Sequence, residues 1–213
     1  MKFAEKDLLL YAVTDRTWLR GDRFCDRVEA SLRGGATFMQ LREKELSREK
    51  FRAEALEIKE LCRRYKVPFV LDDDAELAVE TGADGVHVGQ SDMEAGKVRQ
   101  LLGPDKILGV SAQTVDEALL AERRGADYLG VGAVFPTGTK SDADDVSLDT
   151  LKAICAAVSI PVIAIGGITK ENVAKLAGTG IVGVAAVSAI FAPRDSEMAA
   201  RELKAAVKSA LGR

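Results

Sequence analysis

Short apolar runs recur along the chain at Leu8–Val13, Phe38–Leu41, Phe69–Leu71, Gly85–Val88, Ile107–Val110, Tyr128–Val131, Val162–Ile165 and Val182–Val187. They are rich in Val, Ile and Leu and apolar on both faces, as parallel strands covered on both sides must be. Helical spacing fills the gaps. Phe51, Ala55, Ile58, Cys62 and Tyr65 step by four and three residues, which puts them on one helix face. Thr114-Val115-Asp116-Glu117 has the form of a capping box opening the segment before Gly125. From Asp195 to Leu211 the chain is rich in Ala, Lys and Glu and repeats apolar groups at Leu203, Val207 and Leu211.

A weak internal repeat joins these elements. The stretches beginning at Gly34, Gly82 and Gly125 each couple a small helix terminator to a buried strand, a turn that a left-handed glycine cap favours. Eight strand–helix units fill the chain. They predict an α/β fold, a (β/α)8 TIM barrel forming one domain over residues 1–213. An open doubly wound sheet commonly stops at about five or six strands.

Almost every run is followed at once by residues suited to anions or metals. In order they are Thr14–Arg16, Arg42–Lys44, Asp72–Asp74, Gly89–Asp92, Ser111–Thr114, Pro136–Lys140, Gly166–Gly167 and Ser188–Ile190. Parallel strands gather all of these at one end of one sheet, where barrels carry their chemistry.

Charge and composition narrow the partners. A net charge of −3 with 30% charged residues advertises no basic nucleic-acid face. No apolar stretch approaches the ~18 residues of a membrane span. The N-terminal MKFAEKDLLLYAV leads straight into the first run and lacks a signal-peptide cleavage pattern. Cys25, Cys62 and Cys155 have no metal-ligand spacing and fall on predicted helices, so free thiols in a reducing cytoplasm are expected. The expected partners are small molecules, with no nucleic acid and no membrane.

Several chemistries are excluded. His87 is the sole histidine and lies inside a strand, which rules out histidine-based triads and HExxH zinc sites. Gly178-Thr-Gly180-Ile-Val-Gly183 matches a dinucleotide fingerprint in the wrong context, because it leads into a strand rather than out of one. No GxxxxGK[ST] phosphate loop is present.

A magnesium and phosphate constellation remains. Asp73 and Asp92 follow adjacent predicted strands, within reach of one ion. Two carboxylates leave the other positions of Mg²⁺ to water and substrate phosphate oxygens; the bland alternative is that each caps the next helix. Arg42 and Lys44 lie one strand away, and Lys140 lies across the mouth. A diphosphate in a low-dielectric mouth needs both a metal and fixed cations. A second anion site is expected where Gly166–Gly167 and Val187–Ser188 end the last two strands, since barrels commonly bind phosphate there. The longest connection, Phe135–Ser147, reads as a lid carrying Thr137, Thr139 and Lys140.

At these residues the chain resembles the thiamine phosphate synthase family. The motifs are YAVTD at Tyr11–Asp15, QLREK at Gln40–Lys44, LDDD at Leu71–Asp74 and GVHVGQSD at Gly85–Asp92, then LGVSAQT at Leu108–Thr114, GAVFPTGTK at Gly132–Lys140, AIGGI at Ala164–Ile168 and VSAI at Val187–Ile190. They run in the family's order and span nearly the whole chain. The resemblance implies an Mg²⁺-dependent transferase that joins a pyrimidine, activated as its methyl diphosphate, to the ring nitrogen of a thiazole phosphate. It implies that Gln40, Leu41, Arg42, Glu43, Lys44, Asp72, Ser111 and Lys140 meet the pyrimidine diphosphate, with Arg42, Lys44, Ser111 and Lys140 acting in catalysis. It assigns Thr137, Gly138, Thr139, Gly167, Val187 and Ser188 to the thiazole phosphate, and Asp73 and Asp92 to Mg²⁺. The implied mechanism is dissociative, with a pyrimidine methylene cation captured by the thiazole nitrogen.

Two positions depart from the family pattern. Asp72 stands where the family usually has Asn, and Gln113 where members often carry His. An amide can donate a hydrogen bond, whereas an ionised carboxylate only accepts. Two other functions stay open: a thiazole tautomerase on the same barrel, working without metal, and a phosphate-ligand sensor without chemistry.

Overall fold

The computed structural model describes residues 3–137 and 146–213. Eight parallel strands close in sequence order, β1 pairing with both β2 and β8. They are β1 (Leu10–Val13), β2 (Phe38–Leu41), β3 (Phe69–Asp72), β4 (Gly85–Val88), β5 (Ile107–Ala112), β6 (Tyr128–Val131), β7 (Val162–Ile165) and β8 (Gly183–Ala186). Around them lie α1 (Phe24–Gly34), α2 (Arg48–Tyr65), α3 (Ala75–Thr81), α4 (Ala95–Leu102), α5 (Val115–Arg123), α6 (Leu148–Ala157), a short α7 (Ser188–Phe191) and α8 (Ser196–Ala210). The chain is a (β/α)8 barrel. Among the described residues no helix is long and apolar enough to cross a membrane.

Alternation along each strand divides the core in two. Met39, Leu41, Leu71, Val86, Val88, Leu108, Val110, Leu129 and Val131 face outward and pack in the layer under the helices. Tyr11, Val13, Phe38, Val70, Ile107, Tyr128, Ile163 and Ala185 fill the barrel. The expected helix signals also form. The Thr114 hydroxyl accepts from the Glu117 N–H at 3.2 Å, while Glu117 accepts from the Thr114 N–H at 3.3 Å. Asp195 caps α8 through the Met198 N–H at 2.9 Å.

The bounds of strands β1, β3, β5 and β8, and the segment after β7, differ from the expected ones; β3 gains Asp72, and β8 lacks Val182 and Val187. Leu8 belongs to a 3₁₀ turn, Glu5–Leu8, because Asp7 bonds back to Ala4 through both its side chain and its N–H. Strand β5 runs two residues further than its apolar run and takes Ser111 into the sheet. No full helix follows β7. The Asn172 side chain accepts from the Thr169 N–H at 2.8 Å, and only a 3₁₀ turn, Val173–Leu176, forms before the left-handed Gly178 and Gly180.

Glycines inside strands mark where the barrel interior is tightest. His87, Gly109 and Tyr128 sit in one row across β4, β5 and β6. A Cβ on Gly109 would stand 2.2 Å from the Tyr128 hydroxyl and 2.5 Å from His87 Nδ1. Gly109→Ala is therefore expected to destabilise the fold by about 1–3 kcal/mol through overpacking alone, measured by urea unfolding. An unchanged midpoint would show that the row can spread.

Candidate active site

Four inward positions turn polar as the strands approach their C-terminal ends: Gln40 on β2, Asp72 on β3, His87 on β4 and Ser111 on β5. Gln40 Nε2 donates to Asp72 Oδ1 at 3.0 Å, and His87 Nε2 lies 3.0 Å from Ser111 Oγ. The loop after β2 brings its cations over this row. Arg42 Nε is 3.7 Å and Lys44 Nζ 3.6 Å from Asp72 Oδ2. Lys44 also pairs directly with Asp73. The β2 loop is held by β1, since Thr14 Oγ1 accepts from the Arg42 N–H at 3.0 Å.

Asp73 is turned into the mouth by its backbone. Its φ of 62° is left-handed, a conformation that non-glycine residues seldom adopt, and its N–H donates to the His87 carbonyl at 2.8 Å. The helix cap is its neighbour Asp74, which accepts from the Leu77 N–H at 2.8 Å. Asp92 folds back onto its own loop, accepting from the Gly89 N–H at 2.7 Å, while Glu94 caps α4. The bland alternative of helix capping therefore fits neither Asp73 nor Asp92. The Asp73 carboxyl lies close enough to act on the charge of Asp92.

Asp72 and Asp92 are both raised in pKa, with burial the first cause at each. Burial leads at Asp72 and, with the charge of Asp73, pushes it up to about 7 against the pull of Lys44 and Arg42. At Asp92 burial comes first, followed by the Asp73 carboxyl. Burial works against the charge on Lys44, but the Asp73 and Asp72 carboxylates outweigh it and raise the lysine's pKa. Protonated, Asp72 can donate as an amide would, which answers the departure at this position.

Two side chains expected in the pocket lie elsewhere. Leu41 is fully buried and faces the helices, because strand alternation places it opposite Gln40. The Glu43 side chain is only 4% exposed and pairs with Arg16, which also holds Glu54 of α2. A carboxylate so engaged supports the loop. Arg16, stacked over Phe24 at 4.5 Å, is the strut that sequence reasoning missed. Its signal was its place beside Asp15 in the first loop.

At the far side, Gly166 and Gly167 have φ of 99° and 60°. A Cβ on Gly167 would meet the Pro136 carbonyl oxygen at 2.4 Å, and one on Gly166 would meet Ala133 Cα at 2.5 Å. The glycine pair is thus required by packing under the β6 loop as well as by backbone conformation. Val187 and Ser188 are half-buried where β8 passes into α7. Thr137 is half-buried at the edge of the described segment, and Gly138, Thr139 and Lys140 lie outside the described residues.

The raised pKa of Asp72 carries a stability signature. Between the ordinary value of 3.8 and about 7 the folded state keeps a proton that the unfolded state has released. Stability from this group is present at low pH and lost as pH rises through that window. Asp72→Asn should therefore gain on the wild type steadily as pH increases, measured by urea unfolding across the window. A pH-independent difference would place an ionised Asp72 in the fold.

Comparison with known proteins joins this geometry to a family. Residues 10–190 match the family model described as thiamine monophosphate synthase. The thiamine-phosphate synthase of Clostridium tetani is 47% identical over 197 residues, covering 92% of this chain and 94% of that protein. That of Alkaliphilus oremlandii is 48% identical, covering 95% of this chain and 97% of its own length. The structure of a thiamine phosphate pyrophosphorylase from Pyrococcus furiosus superposes with a TM-score of 0.90 at 38% identity, covering 98% and 99% of the two chains. With its matched barrel and its acid and cation groups converging on one strand end, the chain belongs to the thiamine monophosphate synthase family.

Proposed function

We propose that this chain is a thiamine phosphate synthase, transferring the hydroxymethylpyrimidine group of 4-amino-2-methyl-5-(diphosphooxymethyl)pyrimidine to the ring nitrogen of thiazole phosphate. Thiamine phosphate and diphosphate are the products. The observation that carries the reading is the convergence of Gln40, Arg42, Lys44, Asp72, Asp73, Asp92 and Ser111 at one end of the barrel of a family member. The tautomerase and sensor alternatives leave that charge without a task, and relatives near half identity carry the synthase name.

The chemistry follows from charge. Arg42 and Lys44 would hold the diphosphate, freed from their present carboxylate partners by exchange of one anion for another. Gln40, Asp72 and Ser111 would orient the pyrimidine over the row of polar strand ends. As the bond to the diphosphate lengthens, negative charge grows on the leaving oxygen, where fixed cations in a low-dielectric mouth act most strongly. The methylene cation left behind is captured by the thiazole nitrogen. Gly167, Val187 and Ser188 would hold the thiazole phosphate, with Thr137, Gly138 and Thr139 of the loop against it. Exclusion of water by that loop protects the cation.

The residues present also suit Mg²⁺. Asp73 and Asp92 bring their carboxyl groups together beside Lys44, and among the described residues no group of three or more potential ligands forms. Two carboxylates with water and phosphate oxygens are the ordinary Mg²⁺ arrangement. When bound, the ion would supply neutralisation of the diphosphate charge that the two cations leave uncompensated.

The deciding experiment is formation of thiamine phosphate from the two substrates with Mg²⁺, and its loss in chelator. Isomerisation of the thiazole phosphate that persists in chelator, with no thiamine phosphate formed, would favour the tautomerase instead. Asp73→Ala should cost at least ~10²-fold in rate with the fold intact, and near-normal rates at limiting Mg²⁺ would remove Asp73 from the site. Lys140→Ala should lower kcat more than it raises KM for the pyrimidine diphosphate, because its contact strengthens as the bond breaks. Thr139→Ala should mainly raise KM for thiazole phosphate. A Lys140 variant altered only in thiazole affinity would move the diphosphate onto Arg42, Lys44 and the metal.

A further inference from the structure

A hydrogen-bonded line descends from the pocket into the barrel. Ser111 Oγ lies 3.0 Å from His87 Nε2, His87 Nδ1 lies 3.0 Å from the Tyr128 hydroxyl, and that hydroxyl lies 2.8 Å from the hydroxyl of Tyr11. The four residues come from β5, β4, β6 and β1. The line is built into the fold. Gly109 stands between His87 and Tyr128 in the strand register, and any Cβ there would strike both rings. Gly130, the register partner of Ser111, leaves room for the imidazole edge, which a Cβ would approach to 3.1 Å.

The buried end sets the direction of the line. Tyr11 and Tyr128 are fully buried, and burial pushes the pKa of both phenols up, so each keeps its proton. Among the described residues, the Tyr11 hydroxyl bonds to that of Tyr128. If Tyr11 donates to Tyr128, Tyr128 must donate onward to His87 Nδ1. His87 then carries its proton on Nε2 and donates to Ser111 Oγ. The reverse order would leave the Tyr11 proton buried with no acceptor among the described residues.

We infer that the two tyrosines fix His87 as the Nε2–H tautomer, so that Ser111 presents its own hydroxyl proton to the pocket. His87 and Tyr128 are positioning residues. Ser111 becomes an obligate donor, which selects a ligand carrying a hydrogen-bond acceptor, such as an unprotonated ring nitrogen, at that point. This rests on the reading of Ser111 as a contact of the pyrimidine substrate. It adds the sense of that contact and its cause.

His87 is the only histidine in the sequence, so its ring nitrogens can be read without assignment. Long-range proton–nitrogen correlation spectra of the isotope-labelled, substrate-free protein at neutral pH should show Nε2 protonated and Nδ1 bare. A protonated Nδ1, alone or together with Nε2, would overturn the inference. Tyr128→Phe removes the donor to Nδ1 and should abolish the tautomer preference. It should also raise KM for the pyrimidine diphosphate about tenfold, the worth of one well-placed hydrogen bond, with KM for thiazole phosphate unchanged. Either a retained Nε2–H preference or an unchanged pyrimidine KM in that variant would overturn it as well. Because the tautomer is read without substrate, failure of the proposed reaction and failure of this polarity give different signatures.

Discussion

Closure of the sheet is the constraint from which the site follows. Once β8 pairs with β1, every strand has an inside and an outside, and alternation assigns each residue to one of them. Gln40 can face the mouth only because Met39 and Leu41 face the helices. A slip of one residue in any strand would bury the polar row under the helices and turn aliphatic side chains into the pocket. The same closure holds Asp72, His87 and Ser111 side by side although they are distant in sequence.

Within that frame the mouth is an assembly of opposed charges. The charge of Asp73 acts on both Asp72 and Asp92, and Arg42 and Lys44 offset the repulsion. Such a site exchanges partners at modest cost, since an incoming anion replaces a carboxylate and an incoming cation replaces an ammonium. Rigidity comes from behind. Arg16 ties the first loop to Glu43 and to Glu54 on α2, so the segment carrying Arg42 and Lys44 is braced from the helix side. The pattern is two layers deep: exchangeable charges in front and a fixed ion-pair cluster at the back.

Much of this was legible in the sequence. Strands buried on both faces are uniformly apolar, so their runs and the polar groups at their ends stand out, and β2, β4, β6 and β7 begin and end where the apolar pattern does. Less legible was anything decided by side-chain direction. Glu43 sits among binding residues in sequence, yet its partner Arg16 comes from another loop, and only tertiary packing shows that pair. The sequence places His87 inside a strand but does not show what it meets. Its environment is set by Gly109 and Gly130, whose presence inside strands was the available signal of a close approach. The left-handed backbone at Asp73 was only faintly signalled: aspartate tolerates that conformation better than most side chains, yet adopts it in few places.

The glycine pair after β7 has a consequence beyond its own conformation. Gly166 and Gly167 lie directly beneath Ala133, Phe135 and Pro136, too close for any side chain to intervene. The Phe135 N–H also donates to the Gly166 carbonyl at 3.2 Å, and the Val134 N–H to the Ile165 carbonyl at 3.0 Å. The end of β7 and the start of the long loop are therefore one mechanical part, although thirty-odd residues of chain separate their sequences. A loop transplanted from a relative would not seat without the floor it was shaped against. For that half of the mouth, the smallest part that can be exchanged is the pair, loop and floor together.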